Sequence, residues 1–172
     1  VEGGGYVYTS TDGGATWTNP AVLTSACTDL TVAVDGSVWA NIGGRTYYSP
    51  NGNDNTWVEI SKSLATGTDL PRTNGRQKYS VSAQDPNTVY CVQTAGNELG
   101  GLYRSGDRGV TWELIRGKSA LFDPLCSSQC QGIWNLLIGV SPFDKDHVFL
   151  AGITIWEWKR SAGWRQVDSQ FI

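Results

Sequence analysis

The 172-residue chain has no methionine and a single histidine, His147. It has no apolar run near the roughly 18 to 20 residues of a membrane-spanning helix, and no signal peptide is recognisable. It has no acidic or basic run either. Its 13 Lys and Arg are scattered along a chain of formal net charge -3, which argues against a nucleic-acid surface. Helical periodicity never lasts beyond a turn or two, so the chain reads as all-β. One histidine and no second close cysteine pair offer little for a metal site, and the reading includes no metal and no cofactor. The chain opens at Val1 without a methionine, and the expectation is that something upstream has been removed or left out.

Glycine (21) and tryptophan (8) are abundant, and Thr, Ser, Asn and Val crowd the sequence, as suits short strands joined by tight turns. Cys126 and Cys130 bracket C-S-S-Q-C, a spacing that can close a small disulfide loop. Free thiols and a metal pair are the other readings. Cys27 and Cys91 stand apart in sequence, and whether they meet is left open.

The main signal is a repeat. S-T-D-G-G-A-T-W, Ser10 to Trp17, returns as S-G-D-R-G-V-T-W, Ser105 to Trp112. A third copy, S-P-N-G-N-D-N-T-W, keeps Ser49 and Trp57 but is one residue too long, with Asn51 in the aspartate's place. A fourth, S-A-G-W, keeps Ser161, Gly163 and Trp164. The marker tryptophans lie 40, 55 and 52 residues apart, and the segments between them align as four short strands each. That is the length of a propeller blade. The residue types explain the turn. The aspartates Asp12 and Asp107 can fold back to accept hydrogen bonds from turn amides, Gly14 and Gly109 supply a backbone angle other residues resist, and the tryptophan starts the outgoing strand with a large apolar face. Every residue has a structural role, so the repetition needs no chemistry.

This pattern resembles the Asp-box, or bacterial neuraminidase repeat, of sialidases, sortilin-type receptors, xyloglucan-degrading glycosidases and many secreted bacterial propellers. The resemblance covers nearly the whole chain. It implies a β-propeller of four-stranded antiparallel blades, with a half blade at 1–20 and blades at about 29–61, 76–116 and 132–168. Such an arc of about three and a half blades would leave apolar faces and strand edges open, so the expectation is a fragment of a longer polypeptide whose remaining blades close the ring. The stretch Q-G-I-W-N-L-L-I-G-V-S-P-F-D-K-D-H-V-F-L-A-G-I looks most like large exported or surface-attached bacterial members of this group, which implies an extracellular setting.

Propeller geometry places the repeated turns and the D-P-N turns on one face. The second-to-third-strand links and the connections between blades, at 62–76 and 116–132, fall on the other, where function is expected. A sialidase would clamp a carboxylate with three arginines. Arg45, Arg72 and Arg76 fall on the link face, Arg104 and Arg108 fall on the turn face, and no F-R-I-P-like element occurs, so that activity is not expected. A glycoside hydrolase would need two opposed carboxylates, and Asp69, Glu98 and Asp123 are the weak candidates; Asp85, Asp144 and Asp146 belong to the other face. For binding, Trp134 and Phe122 offer an aromatic rim, joined by Arg72 and Arg76. Trp156 and Trp158 read as core filler. His147, in F-D-K-D-H-V, reads as an exposed turn residue that nothing orients as a base. The leading expectation is a non-catalytic propeller segment presenting a glycan- or protein-binding face. The alternative is part of a xyloglucanase-like glycoside hydrolase acting on a β-linked polysaccharide.

Overall fold

The computed structural model describes residues 5–119 and 123–167. Phe122, named above as a rim aromatic, lies outside them. Twelve strands are present among the described residues, grouped into three four-stranded sheets with every neighbouring pair antiparallel and in chain order. The first sheet holds β1 (Cys27–Val32), β2 (Val38–Ile42), β3 (Arg45–Ser49) and β4 (Val58–Glu59). The second holds β5 (Gln77–Val81), β6 (Val89–Ala95), β7 (Glu98–Ser105) and β8 (Glu113–Arg116). The third holds β9 (Leu137–Ser141), β10 (Asp144–Ala151), β11 (Ile155–Lys159) and β12 (Gly163–Gln166). Ahead of them, Thr9 and Thr18 exchange backbone hydrogen bonds of 2.8 and 2.9 Å, closing a short antiparallel ribbon.

Burial follows strand position within each sheet. In the first two sheets the second strand, V-W-A-N-I or V-Y-C-V-Q-T-A, is buried almost throughout, because each sheet is covered on both faces. Fourth strands lie at the outer edge and bare Val58 and Leu114. First strands meet one another near the axis: Lys78 pairs with Asp29 at 2.7 Å, and the Val140 amide donates to Ser80 Oγ at 2.9 Å.

Three apolar cores lie between successive layers. Val7 and Leu23 pack with Val38, Ala40, Ile42, Tyr47 and Trp57, joining the ribbon to the first sheet. Trp39, Leu70, Tyr79, Val89, Cys91 and Trp112 join the first sheet to the second. Tyr90, Val92, Leu99, Leu102, Val148, Leu150 and Trp158 join the second to the third, with Trp156 and Trp164 half-buried against them. Each sheet is therefore a blade, stacked face to face on its neighbours.

The repeated turn closes in the same way at both full copies. Gly14 N donates to Ser10 Oγ at 2.7 Å and Gly109 N donates to Ser105 Oγ at 2.8 Å. Asp12 accepts from the Thr16 amide and hydroxyl at 2.9 and 2.6 Å, and Asp107 accepts from those of Thr111 at 2.8 and 2.5 Å. The indole of Trp17 donates to Gly14 O, and that of Trp112 to Gly109 O, each at 3.0 Å. Gly14 and Gly109 sit at φ 93° and 84°, the left-handed region where a side chain is strained. In the third copy Ser49 Oγ still takes the Gly52 amide at 2.7 Å and Asn51 takes the Thr56 hydroxyl at 2.9 Å, but the buried Trp57 indole nitrogen has no partner.

The fourth copy departs from the sequence reading. Val89 opposes Ser105 in the second blade, and its counterpart Val148 opposes Trp158, which pairs in turn with Trp164. Trp158 therefore holds the serine's position, while Ser161 is an exposed residue in the turn between Lys159 and Gly163. Gly163, at φ 78°, still makes the bend.

Candidate functional site

The two faces sort by their hydrogen bonds. On one, Arg108 of a repeated turn donates its amide to Asn87 of the neighbouring D-P-N turn at 2.9 Å. On the other, the connections between blades lie against the second-to-third-strand links: Thr73 N reaches Gly44 O at 3.0 Å, and Gly132 N reaches Asn97 O at 2.7 Å. Among the described candidates, Arg72, Arg76, Glu98, Asp123 and Trp134 belong to this link face, whereas Asp69 follows Thr68, whose carbonyl accepts from the Trp112 amide at 2.7 Å beside a repeated turn.

Trp134 is 66% exposed, the largest bare aromatic surface among the described tryptophans. Its loop is held from four sides. Cys126 and Cys130 are joined as a disulfide four residues upstream. Gln131 then acts as a hub, its amide donating to Leu125 O and its carbonyl accepting from the amides of Trp134 and Asn135, each at 2.8 Å. The Asn135 side-chain amide adds a bond to Gln131 Oε1 at 2.7 Å. From the second blade, Asn97 Oδ1 accepts from the Ile133 amide at 3.4 Å, and the Arg76 guanidinium donates to Ile133 O. The result is an apolar step of Ile133 and Trp134 on a backbone pinned by polar neighbours. Arg76 therefore braces the loop.

The other candidates are occupied structurally. Arg72 is held by Glu59, its Nε and Nη2 bonded to the two carboxylate oxygens at 2.6 and 2.9 Å, and Arg45 stands 3.5 Å from the same group. Asp123 accepts from the amides of Leu99 and Leu125 at 3.2 and 3.0 Å, fixing the connection to the link. Glu98 pairs with Lys118 at 2.5 Å. Asp69 caps its own turn through the Thr66 amide at 3.2 Å. An open cleft of about 320 Å³ lies beside the end of β4 and the connection that follows it, lined by Glu59, Ser61, Lys62, Leu64, Asp69 and Arg72. Glu59, Asn97 and Gln131 carry no local sequence signal, since their roles depend on partners brought together by the fold.

His147 corrects the sequence reading. It sits within strand β10, its side chain only 15% exposed, with Nε2 2.9 Å from Glu157 Oε2 and its ring 4.5 Å from that of Phe149. Arg165 holds the other Glu157 oxygen, with Nε at 2.6 Å. The Arg165 and His147 bonds hold the Glu157 carboxyl below the usual range, against the opposing effect of burial. The β10–β11 register places His147, Phe149 and Glu157 on one side of the sheet, which is why the histidine is oriented and not loose in solvent.

Cys27 and Cys91 are both free thiols, Cys27 half-buried and Cys91 fully buried; burial raises both pKa values.

No family model matches this chain, and no curated protein matches it. Solved structures do. A GH74 enzyme from Niastella koreensis superposes with a TM-score of 0.63 at 18% identity, over 92% of this chain and 26% of that one. An ancestral GH74 enzyme gives 0.64 at 17% identity, over 93% and 22%. A virginiamycin B lyase from Staphylococcus aureus gives 0.55 at 13% identity, over 91% and 45%. The fold is that of a β-propeller, present here as an arc. The chain spans about a quarter of the length of the two GH74 chains, and identities this low speak for the fold alone.

Proposed function

We propose that this arc belongs to a larger, extracellular Asp-box propeller of the sortilin- and xyloglucanase-like bacterial kind. In this reading its link face binds a glycan or a protein without transforming it. The observation that carries the proposal is Trp134, bare and yet fixed in orientation by the disulfide loop, Gln131, Asn97 and Arg76. A rigid exposed indole offers a stacking surface at low entropic cost on binding, which is what an anchor residue supplies. The disulfide fits an oxidising compartment. The structural partners of Asp69, Glu98 and Asp123 weigh against a free acid and base pair among them.

The glycosidase alternative draws on two features, the GH74 neighbours and the cleft that brings Glu59 and Asp69 into one lining. Glu59 has both oxygens bonded to Arg72, which leaves Asp69 as the more available carboxylate there. The two readings separate in one experiment on the intact protein. Titration calorimetry with β-linked glucan oligosaccharides is expected to give binding that weakens at least tenfold in Trp134→Ala, with no new reducing ends over the titration. Binding indifferent to Trp134 would remove the platform. Hydrolysis abolished by Asp69→Asn or Asp123→Asn would establish the enzyme instead.

A further inference from the structure

The blades share a feature that the turns alone do not express. Every blade turns aromatic residues toward the blade before it, among them one from its third strand and one from the start of its fourth. In the first blade these are Tyr47 and Trp57, packed against Val7 and Leu23 of the ribbon. In the second they are Tyr103 and Trp112, packed against Trp39 and Ile60 of the first blade. In the third they are Trp156 and Trp164, packed into the core shared with Tyr90, Val92 and Leu102 of the second. The ribbon carries the same pair. G-Y-V-Y-T-S aligns with G-L-Y-R-S, so Tyr8 matches Tyr103 and Trp17 matches Trp112. Val7, like Leu102, faces the following blade, so Tyr8 faces the other way. No described residue covers that side, and Tyr8 and Trp17 are 54% and 61% exposed.

We infer that the face carrying Tyr8 and Trp17 is a docking surface for a further propeller blade whose receiving face is apolar, and not for a second copy of this chain. The occupant is set by continuity with the three existing interfaces. Each aromatic pair meets a surface made of aliphatic and aromatic side chains, such as Trp39 with Ile60, or Tyr90 with Val92 and Leu102. The receiving face of the third blade has a different chemistry. Phe149 takes the register position of Tyr90, but it is flanked by the His147, Glu157 and Arg165 ion group. Docking Trp17 there in a head-to-tail copy would press an apolar ring against charges whose remaining solvation would be lost. The Tyr8 and Trp17 face and the third blade's receiving face are therefore poor partners for each other, so the occupant is a separate blade.

This inference rests on the reading of the chain as part of a larger propeller. It is tested by mild tryptophan oxidation of the intact protein from its natural source, quantified peptide by peptide. Trp17 is expected to react as slowly as Trp112 and Trp57, at least tenfold more slowly than Trp134. Its reactivity should not change across a hundredfold dilution. Trp17 reacting like Trp134 would overturn the inference, as would Trp17 becoming reactive on dilution, which would mark a second copy as the occupant. Trp17→Phe is expected to keep the protected pattern at Tyr8, whereas Trp17→Ser is expected to raise Tyr8 labelling at least tenfold; no difference between them would also count against the docking role. Protection of Trp134 by an added glucan oligosaccharide reads the binding face in the same digest, so the two readings fail separately.

Discussion

The turns at 10–17 and 105–112 share four internal hydrogen bonds, from the glycine amide, the threonine amide and hydroxyl and the indole, to within 0.1 Å, yet Trp17 is 61% exposed and Trp112 only 4%. The comparison separates two kinds of stability. Serine, aspartate and glycine close the turn from within, so an identical turn forms on a thin two-stranded ribbon and on a fully packed blade. Burial of the tryptophan depends on a neighbouring blade, which the turn cannot supply. The same division explains Trp57, which is buried by its neighbour although its turn has lost the acceptor for its indole nitrogen.

Substitutions at matched positions sharpen this contrast. Removing the indole should matter most: Trp112→Ala is expected to lower stability by about 3 to 5 kcal/mol, as for a large side chain cut from a close-packed core. Trp17→Ala should cost under about 1 kcal/mol in the 172-residue chain, where it loses one local hydrogen bond. Urea unfolding of the pair measures both, and equal losses would break the comparison.

The glycines come next. A Cβ on Gly109 would stand 2.9 Å from Ile60 and 3.0 Å from Trp39, whereas one on Gly14 would meet only Trp17, at 3.6 Å. Both sites carry the left-handed strain of about 1 to 2 kcal/mol. Gly109→Ala adds overpacking and should cost about 2 to 4 kcal/mol in all, so its thermal midpoint should fall further than that of Gly14→Ala.

The smallest effect is titration. The Thr16 hydroxyl and amide, with Ser10, hold the Asp12 carboxyl down to about 2. Burial opposes ionisation at Asp107, but the Thr111 and Ser105 bonds outweigh it and its value is also lowered. A carboxyl depressed in the folded state contributes stability above its ordinary pKa and loses that contribution as pH falls through the folded value. Carboxyl-carbon NMR titration should therefore place both midpoints below an ordinary aspartate, with Asp12 near 2. Exchange of the Thr16 amide should quicken only at that acid limit.

What was readable in the sequence follows the same local and non-local line. The spacing of Ser10, Asp12, Gly14 and Trp17 announces a turn because all four act within eight residues. The strand pattern then follows from apolar runs between such turns. The decayed copy misled: Ser161 matched by identity, but the pairing of Val148 with Trp158 decides the position, and pairing belongs to the sheet. His147 looked like a turn residue because its partners Glu157 and Arg165 arrive on two later strands. Arg72 read as a binding residue, but Glu59, which bonds its guanidinium, stands 13 residues away and carries no signal in the local sequence. The prominence of Trp134 likewise comes from the loop that pins it, with the residue left 66% exposed.

The claim at the centre of this account is that the arc needs further blades, because the face carrying Tyr8 and Trp17 is built for a neighbour that the described residues do not provide. The intact mass of the protein from its natural source, measured with and without reduction, tests it most directly. The account predicts a single chain well above the 18.7 kDa of these 172 residues, with the larger mass surviving reduction. A mature chain of 18.7 kDa would contradict it.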